Sequence, residues 1–181
     1  MPTYRVSSPI RDRCRESPLS EPQRTPVTNL LNELLGIYWT GAAQHQSHVA
    51  LVQSWGLNGL ATPMAARIAD EPVTIASLLS RLIELGGVPE FTMAQPHIGT
   101  TVREILDNDM AGQQTARPGL NAAAESAARA HDATTRILIE GILADEELHL
   151  AWLQTEIDLY DRLGEPLYIA NRLAAPLSAQ P

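Results

Sequence analysis

The sequence predicts an all-α protein: a four-helix bundle with a long crossover between its second and third helices, followed by a short fifth helix. Apolar residues recur at three- and four-residue spacing through most of the 181-residue chain, which is the period of a helix with one buried face. Glycine and proline interrupt this pattern in few places, so most uninterrupted stretches are far longer than an average helix of about 11–12 residues. No stretch shows the alternation of a strand.

The helix bounds follow from capping and stop signals. Thr28 is a good N-cap residue for the first helix, and Pro63 suits the first turn of the second. Gly86 and Gly87 stop the second helix, Gly164 stops the fourth, and residues 88–98 form the crossing loop. The expected helices are Thr28–Trp55, a second from about Leu60 to Leu85, Gly99–Ala130, Asp132–Leu163 and Pro166–Leu173.

Two prolines fall inside these predicted helices, Pro72 in the second and Pro118 in the third. Each removes a backbone donor and crowds the preceding turn, at a cost of roughly 3 kcal/mol in a regular helix. We therefore expect each proline to kink or end its helix. Pro118 is followed by Gly119, and this pair could divide the third helix in two.

The domain organisation is one bundle between two tails. Residues 27–173 carry the helical pattern, and residues 174–181 form a C-terminal tail. Residues 1–26 contain five prolines with many serines and arginines and no apolar period, so we expect a disordered N-terminal tail. This tail is basic. It is either a solvated extension or an arm that touches a neighbouring subunit, an acidic partner or DNA.

Composition and charge exclude several classes of protein. The formal net charge of −8 argues against a surface that coats nucleic acid. Cys14 is the single cysteine, which excludes an intrachain disulfide and a cysteine-rich metal site. No apolar run approaches the roughly 20 residues of a membrane span, and the N-terminus lacks the apolar centre of a signal peptide. We therefore expect a cytoplasmic protein without membrane or nucleic-acid partners.

The fourth predicted helix contains a carboxylate and an imidazole three residues apart, Glu146 and His149. This spacing places both side chains on one face, about one turn from each other. Such a pair on the inner face of a bundle is half of what a di-iron carboxylate site requires. A complete site needs a second pair of this kind and two further carboxylates.

Five segments carry a likeness to a known family, and their order and spacing are more specific than any one of them. They are Leu31–Gly36 (LNELLG), Trp55–Leu60 (WGLNGL), Leu85–Pro89 (LGGVP), Ile98–Leu106 (IGTTVREIL) and Asp145–Leu159 (DEELHLAWLQTEIDL). Together they resemble bacterioferritin, of the ferritin-like superfamily, over about residues 29–173. The resemblance implies a ferritin-like bundle in a multi-subunit shell that stores ferric mineral. It also implies a ferroxidase centre in each subunit and a haem held by methionine between paired subunits.

A weaker likeness to Dps proteins rests on the LGGVP segment alone. Ala76 and Ser80 stand where that family has an aspartate and a glutamate on the preceding turns.

Three of the six metal ligands that the resemblance implies are present. Glu146 and His149 match the second Glu-x-x-His pair, and Glu71 matches the glutamate of the first pair. Two carboxylates are too few to balance two divalent ions in a protein interior. We therefore expect no conventional di-iron ferroxidase centre. Whether the protein is an enzyme stays open, but the incomplete ligand set argues against it.

Four positions depart from what the resemblance implies. Thr74 replaces the histidine partner of Glu71, Tyr38 replaces the carboxylate of the first helix, and Gln113 replaces that of the third. Pro72 stands at the position of the haem methionine and cannot ligate iron. We expect no haem.

The remaining polar groups allow three interpretations. They could form a relic polar cluster whose members satisfy one another by hydrogen bonds. They could hold a single Zn²⁺, Fe²⁺ or Mn²⁺ ion through His45, Glu71, Glu146 and His149, since His45 lies seven residues after Tyr38 on the same helix face. They could also retain di-iron chemistry in spite of the replacements.

Other polar residues are expected to be structural. Five of these polar residues are expected on the surface of the bundle: His48, His97, Glu104, Asp107 and Asp109. His48 could instead chelate a metal with His45, from which it is separated by three residues. His131 and Asp132 fall at a helix corner, where capping is the simplest role. Met64 is expected in the core.

The sequence thus favours a bacterioferritin-like subunit in iron storage, with its di-iron centre and haem ligand lost. It would form a shell by itself or co-assemble with a bacterioferritin paralogue. The first helix is apolar on more than one face, and the resemblance places residues 167–173 at a symmetry axis of the shell. The alternatives are an enzyme that uses the mononuclear site and a purely structural oligomer.

Overall fold

The computed structural model describes residues 21–173, which fold into six helices. Within this range there is no strand, and none of the helices combines the length and the hydropathy that a membrane span requires. The predicted tails at residues 1–20 and 174–181 lie outside the described residues. The helices are α1 (Glu21–Ser54), α2 (Asn58–Arg67), α3 (Glu71–Glu84), α4 (Val102–Arg129), α5 (Ala133–Leu163) and α6 (Glu165–Arg172).

The first helix begins at Glu21, seven residues before the predicted start at Thr28. Thr28 is therefore an interior residue of α1 and not its N-cap, and residues 21–26 do not belong to the tail. The prediction took Pro26 as a boundary. Pro26 is the sixth residue of α1, and the helix continues through it with the loss of one backbone hydrogen bond. Val27, which is buried, attaches this end to the core.

The second predicted helix is two helices, α2 and α3, separated by a turn at residues 68–70. Pro72 ends the regular pattern as expected, because it occupies the first turn of α3. A proline is harmless there since the first backbone N–H groups of a helix have no intrahelical partner. The break matters for the interior because Glu71, the first residue of α3, lies directly after it.

Pro118 does not divide the third predicted helix. Helix α4 runs without interruption from Val102 to Arg129 with Pro118 inside it. The proline ring is exposed to solvent, so the lost backbone hydrogen bond lies on the wet side of the helix. The buried residues on both sides, Ala116 and Leu120, continue one apolar face and hold the helix together.

The crossing segment, residues 85–101, is non-helical and lies along α1. Asn32 Nδ2 donates to the carbonyl of Val88 at 3.0 Å, and its Oδ1 accepts from the backbone N–H of Glu90 at 2.9 Å. Gly36 lies under the segment, since a Cβ at this position would be 2.3 Å from the carbonyl oxygen of Thr92. The long predicted crossover is therefore present and attached to the first helix.

The core consists of two apolar clusters, one towards each end of the bundle. The first centres on Leu31, Leu78 and Leu120, and the second on Val52 and Leu106. Between them, by position along the helices, lies a layer of buried polar side chains. Its members are Gln44, His45, His48, Asp109, Gln113 and His149. This polar layer contains the candidate site.

Candidate functional site

Four helices bring the predicted site residues together inside the bundle. Helix α1 supplies Tyr38 and His45, α4 supplies Gln113, and α5 supplies Glu146 with His149. The first residue of α3, Glu71, completes the set. The three- and four-residue spacings predicted from the sequence do place these side chains on inward faces, because His45, Gln113 and His149 are all buried.

Tyr38 is bonded to the glutamate of the intact pair. Its hydroxyl donates to Glu146 Oε1 at 2.6 Å. Burial and the charge of Glu146 both raise the pKa of Tyr38 far above its ordinary value, so the phenol stays protonated. Burial also raises the pKa of Glu146, although the hydrogen bonds from Tyr38 and Gln113 oppose this effect. A neutral hydroxyl thus satisfies a carboxylate that a metal ion would otherwise balance.

His45 forms a short contact with Glu71. The distance from His45 Nδ1 to Glu71 Oε1 is 2.5 Å, and both side chains are largely buried. Burial acts to lower the pKa of His45, but the hydrogen bond to Glu71 and the charge of Asp109 outweigh it and raise this pKa above its ordinary value. The second oxygen of Glu71, Oε2, is buried and has no hydrogen-bond partner among residues 21–173.

His149 is held as a neutral ring. Gln113 Nε2 donates to His149 Nδ1 at 3.1 Å, which requires an unprotonated nitrogen at that position. Burial and the neighbouring charge of His45 lower the pKa of His149 to about 4. Gln113 Oε1 is buried and finds no partner in the described part of the chain. The glutamine therefore bonds the histidine but is itself only partly satisfied.

A small cavity lies beside this cluster. It encloses about 20 Å³ and is lined by Glu71, Thr74, Glu146, His149 and Tyr38 among others. That volume accommodates about one water molecule or one ion. The rings of His45 and His149 approach each other edge to face, with centroids 5.4 Å apart. Within residues 21–173, however, no three His, Cys, Asp or Glu side chains already converge as metal ligands would.

A second polar cluster was not predicted. His48 and Asp109 were expected on the surface, and both are fully buried. His48 Nδ1 donates to Asp109 Oδ1 at 2.8 Å, and its Nε2 accepts from the backbone N–H of Gly99 at 3.0 Å. Gln44 Nε2 donates to the same Asp109 oxygen at 2.9 Å. His48 cannot pair with His45 around a metal while both of its nitrogens are occupied.

A sequence signal for this cluster existed in α4. Asp109 falls on the stripe that also contains Val102, Ile105, Leu106 and Gln113, at helical spacing. An acid on an apolar stripe is buried with a partner, and His48 was that partner. The other expectations for single residues are confirmed: His97 is exposed, Met64 is buried in the second core cluster, and Asp132 caps α5.

Comparison with known proteins defines the class to which this bundle belongs. Residues 28–163 match the ferritin-like domain family, and the chain belongs to that family. Within it, the similar relatives are bacterioferritins. The Mycobacterium tuberculosis bacterioferritin BfrA is 32% identical over 151 residues, which cover 83% of this chain and 95% of the relative. The Rhodobacter capsulatus bacterioferritin is 32% identical over 154 residues, 84% of this chain and 95% of the relative.

Solved structures agree with these relatives. The R. capsulatus bacterioferritin structure, described as having a metal-free dinuclear site and a haem iron in a crystallographic special position, matches with a TM-score of 0.79 at 30% identity. The match covers 86% of this chain and 98% of that chain. The M. tuberculosis BfrA structure also gives a TM-score of 0.79, at 32% identity over 83% and 96% of the two chains. The predicted resemblance and the predicted fold class are therefore confirmed.

Proposed function

We propose that this chain is an iron-storage subunit of a bacterioferritin-type shell, with iron as the cargo and no di-iron ferroxidase centre of its own. The family membership supports the storage role. The observation that carries the proposal is the pairing of the remaining ligands with neutral groups, since Tyr38 donates to Glu146 and Gln113 donates to His149. The chain works in the cytoplasm, without membrane or nucleic-acid partners.

The residues present do not fit a di-iron centre. Glu71 and Glu146 are the two carboxylates at the implied ligand positions, and His45 already occupies one oxygen of Glu71. Two divalent ions would bring four positive charges into a largely buried layer, where uncompensated charge is costly. Thr74, which lines the cavity, offers a hydroxyl where a strong nitrogen ligand would be needed.

The residues present do not fit haem either. Pro72, at the position of the implied methionine, has no ligating atom and lies in the first turn of α3, directly after the break. Met64 is buried in the second apolar cluster of the core, where it packs as a core side chain. We therefore propose that the subunit binds no haem.

The partner in the shell is either a second copy of this chain or a bacterioferritin paralogue. Co-assembly would remove the need for a ferroxidase centre in this subunit, because an active paralogue would oxidise Fe²⁺ for the whole shell. The mineral would then be shared through the common interior.

The test is Fe²⁺ oxidation by the purified protein, followed by absorbance. We expect a rate no faster than that of a protein control without metal sites, and no Soret band after expression with added haem. The triple variant Tyr38→Glu, Thr74→His, Gln113→Glu should gain saturable oxidation, because it restores the ligand types that a two-metal site uses. Rapid oxidation of about two Fe²⁺ per subunit by the unaltered protein would overturn the proposal.

A second candidate function is a mononuclear metal site formed by His45, Glu71, Glu146 and His149. The cavity of about 20 Å³ beside three of these residues supports it, as does the unpartnered Oε2 of Glu71. An ion there would have to displace the hydrogen bond between His45 and Glu71. Two histidines and two carboxylates suit Zn²⁺ or Mn²⁺.

Calorimetric titration of Zn²⁺ and of Mn²⁺ into protein purified without added iron tests this candidate. One ion per subunit should bind to the unaltered protein and to the control His97→Ala, whose histidine is exposed and is not one of the four proposed ligands. Binding should be lost in Glu71→Gln. Equal heats in all three proteins, or none at micromolar concentration, would eliminate the mononuclear site.

A further inference from the structure

The crossing segment leaves a large groove between itself, α1 and α4, which we name the crossing groove. It encloses about 1200 Å³ and extends from Asn29 and Glu33 on α1 to Asn108 and Thr115 on α4. Glycines at positions 36, 41 and 112 form part of its surface, and the absence of side chains there makes it wide. This volume exceeds that of most small-molecule pockets, which are about 300–1,000 Å³. A peptide segment fits it better.

The walls of the crossing groove are fixed. Three residues of α1 hold the crossing segment by hydrogen bonds, and the first is Asn32. Thr40 Oγ1 accepts from the backbone N–H of Ala94 at 3.1 Å. Gln44 Oε1 accepts from the backbone N–H of His97 at 2.9 Å. On the far side, Asn108 Nδ2 donates to the carbonyl of His97 at 3.1 Å. An occupant would therefore bind a preformed surface and would not have to order it.

The crossing groove is acidic. Four glutamates line it, and no lysine or arginine does. Glu33 and Glu90 lie at the end nearest the start of α1, and within residues 21–173 neither side chain takes part in an ion pair. The other two, Glu71 and Glu146, belong to the buried cluster. The occupant that matches this surface is a cationic peptide.

Such a peptide precedes α1 in the same chain. Residues 1–20 contain four arginines, Arg5, Arg11, Arg13 and Arg15, against the two acids Asp12 and Glu16. The far end of the crossing groove lies near Gln44, about 35 Å along α1 from Glu21 at 1.5 Å per residue. Twenty extended residues span up to about 66–72 Å, so this segment can turn back and follow the whole groove.

We propose that residues 1–20 dock in the crossing groove of their own subunit, with arginines paired to Glu33 and Glu90. Because the segment is tethered, even a weak contact is favoured by an effective concentration of the order of millimolar. This inference concerns the surface of the subunit and does not depend on iron storage.

Disulfide trapping tests the proposal, since the chain has one native cysteine to remove. In a Cys14→Ser background, Ser8→Cys is combined with Thr115→Cys, which lies in the groove, or with Gln114→Cys, the exposed neighbour that does not line it. Thirteen residues separate position 8 from Glu21 and reach about 43–47 Å, so both cysteines are accessible to an unbound segment. We expect trapping at position 115 to be at least about tenfold faster than at 114.

Two further measurements decide the mechanism. Glu33→Gln with Glu90→Gln should slow trapping at position 115, and so should high salt, because both weaken the ion pairs. The trapped product should have the mass of one subunit. Equal rates at 114 and 115, or no effect of the glutamate variants, would overturn the proposal. A product of two subunits would overturn docking in the segment's own groove and assign the occupant to a neighbour.

Discussion

Single side chains decide the chemistry of this interior. Tyr38 and Gln113 are neutral, yet each donates a hydrogen bond to a residue of the intact Glu-x-x-His pair. Such bonds satisfy buried polar atoms without bringing a metal charge into the bundle. Two atoms of the cluster, Glu71 Oε2 and Gln113 Oε1, have no hydrogen-bond partner in the described part of the chain. Most polar atoms of the cluster are thus hydrogen-bonded, and these two are not.

Asp132 gives the clearest prediction for a single residue outside the cluster. Its side chain caps α5 through the N–H of Thr135 at 3.0 Å and forms an ion pair with Arg81 at 2.7 Å. Asp132→Ala should lower the free energy of unfolding by about 3 kcal/mol, because it removes a cap and leaves a largely buried arginine with the exposed carboxylate of Glu84 and the hydroxyl of Thr135 as partners. Urea denaturation measures this loss.

The matched control is Glu84→Ala, which removes the exposed carboxylate partner of Arg81 and should lower the free energy of unfolding by no more than about 0.5 kcal/mol.

The pH dependence of the free energy of unfolding is a second test of the role of Asp132. Burial acts to raise the pKa of Asp132, but hydrogen bonds from Arg81 and Thr135 lower it below its ordinary value. Its contribution is therefore complete above the unfolded pKa of about 3.9 and is lost as the pH falls through the lower folded value. Equal losses in both variants would contradict this assignment.

The sequence predicted which residues form the cluster but not which hydrogen bonds they make. Tyr38, Gln113, Glu146 and His149 were predicted as one cluster from helical spacing and the resemblance, and the structure places them together. The apolar stripe of α4 gave a signal for the burial of Asp109, but its pairing with His48 could not be predicted in the same way. Their pairing depends on the distance between α1 and α4, which is a property of packing.

At the level of elements, the order of the helices was predictable, but their number and their ends were less so, since the second predicted helix is α2 and α3. Periodic apolar residues and the glycines at positions 86 and 164 predicted the second and fourth boundaries well. Pro26 was misread as a boundary, and the effect of Pro118 was overestimated. A proline signals only the loss of one donor. Whether a helix then breaks depends on what the neighbouring turns bury, and the buried Ala116 and Leu120 preserve α4.

This contrast between prolines can be measured. Pro118→Ala should stabilise the protein by about 1–3 kcal/mol, because it restores a backbone donor in the middle of α4 and removes a steric clash. Pro72→Ala should change the free energy of unfolding by no more than about 1 kcal/mol, since a backbone N–H in the first turn of α3 has no intrahelical acceptor. Chemical denaturation of both variants beside the unaltered protein supplies the comparison. Equal effects would show that the two prolines are in equivalent surroundings.

The surface of the subunit carries large apolar side chains on several of its elements. Trp55, directly after α1, is 37% exposed. The other large apolar side chains that are exposed lie on α3, the crossing segment, α5 and the C-terminal end: Val73, Ile83, Val88, Phe91, Met93, Ile98, Ile137, Leu148, Leu167 and Leu173. Where such side chains form a contiguous patch, they mark a surface that associates with other chains.

We therefore predict a large symmetric oligomer, formed by this chain alone or together with a bacterioferritin paralogue. Residues 1–20 should be dispensable for it, because docking in the crossing groove of the same subunit contributes no contact between subunits. Light scattering on the full chain and on a shortened chain beginning at Glu21 should give the same large number of subunits. Starting at Glu21, and not at Pro26, keeps the first turn of α1. If both proteins remain monomeric at micromolar concentration, even with the paralogue present, the shell is excluded and the mononuclear metal enzyme becomes the better explanation.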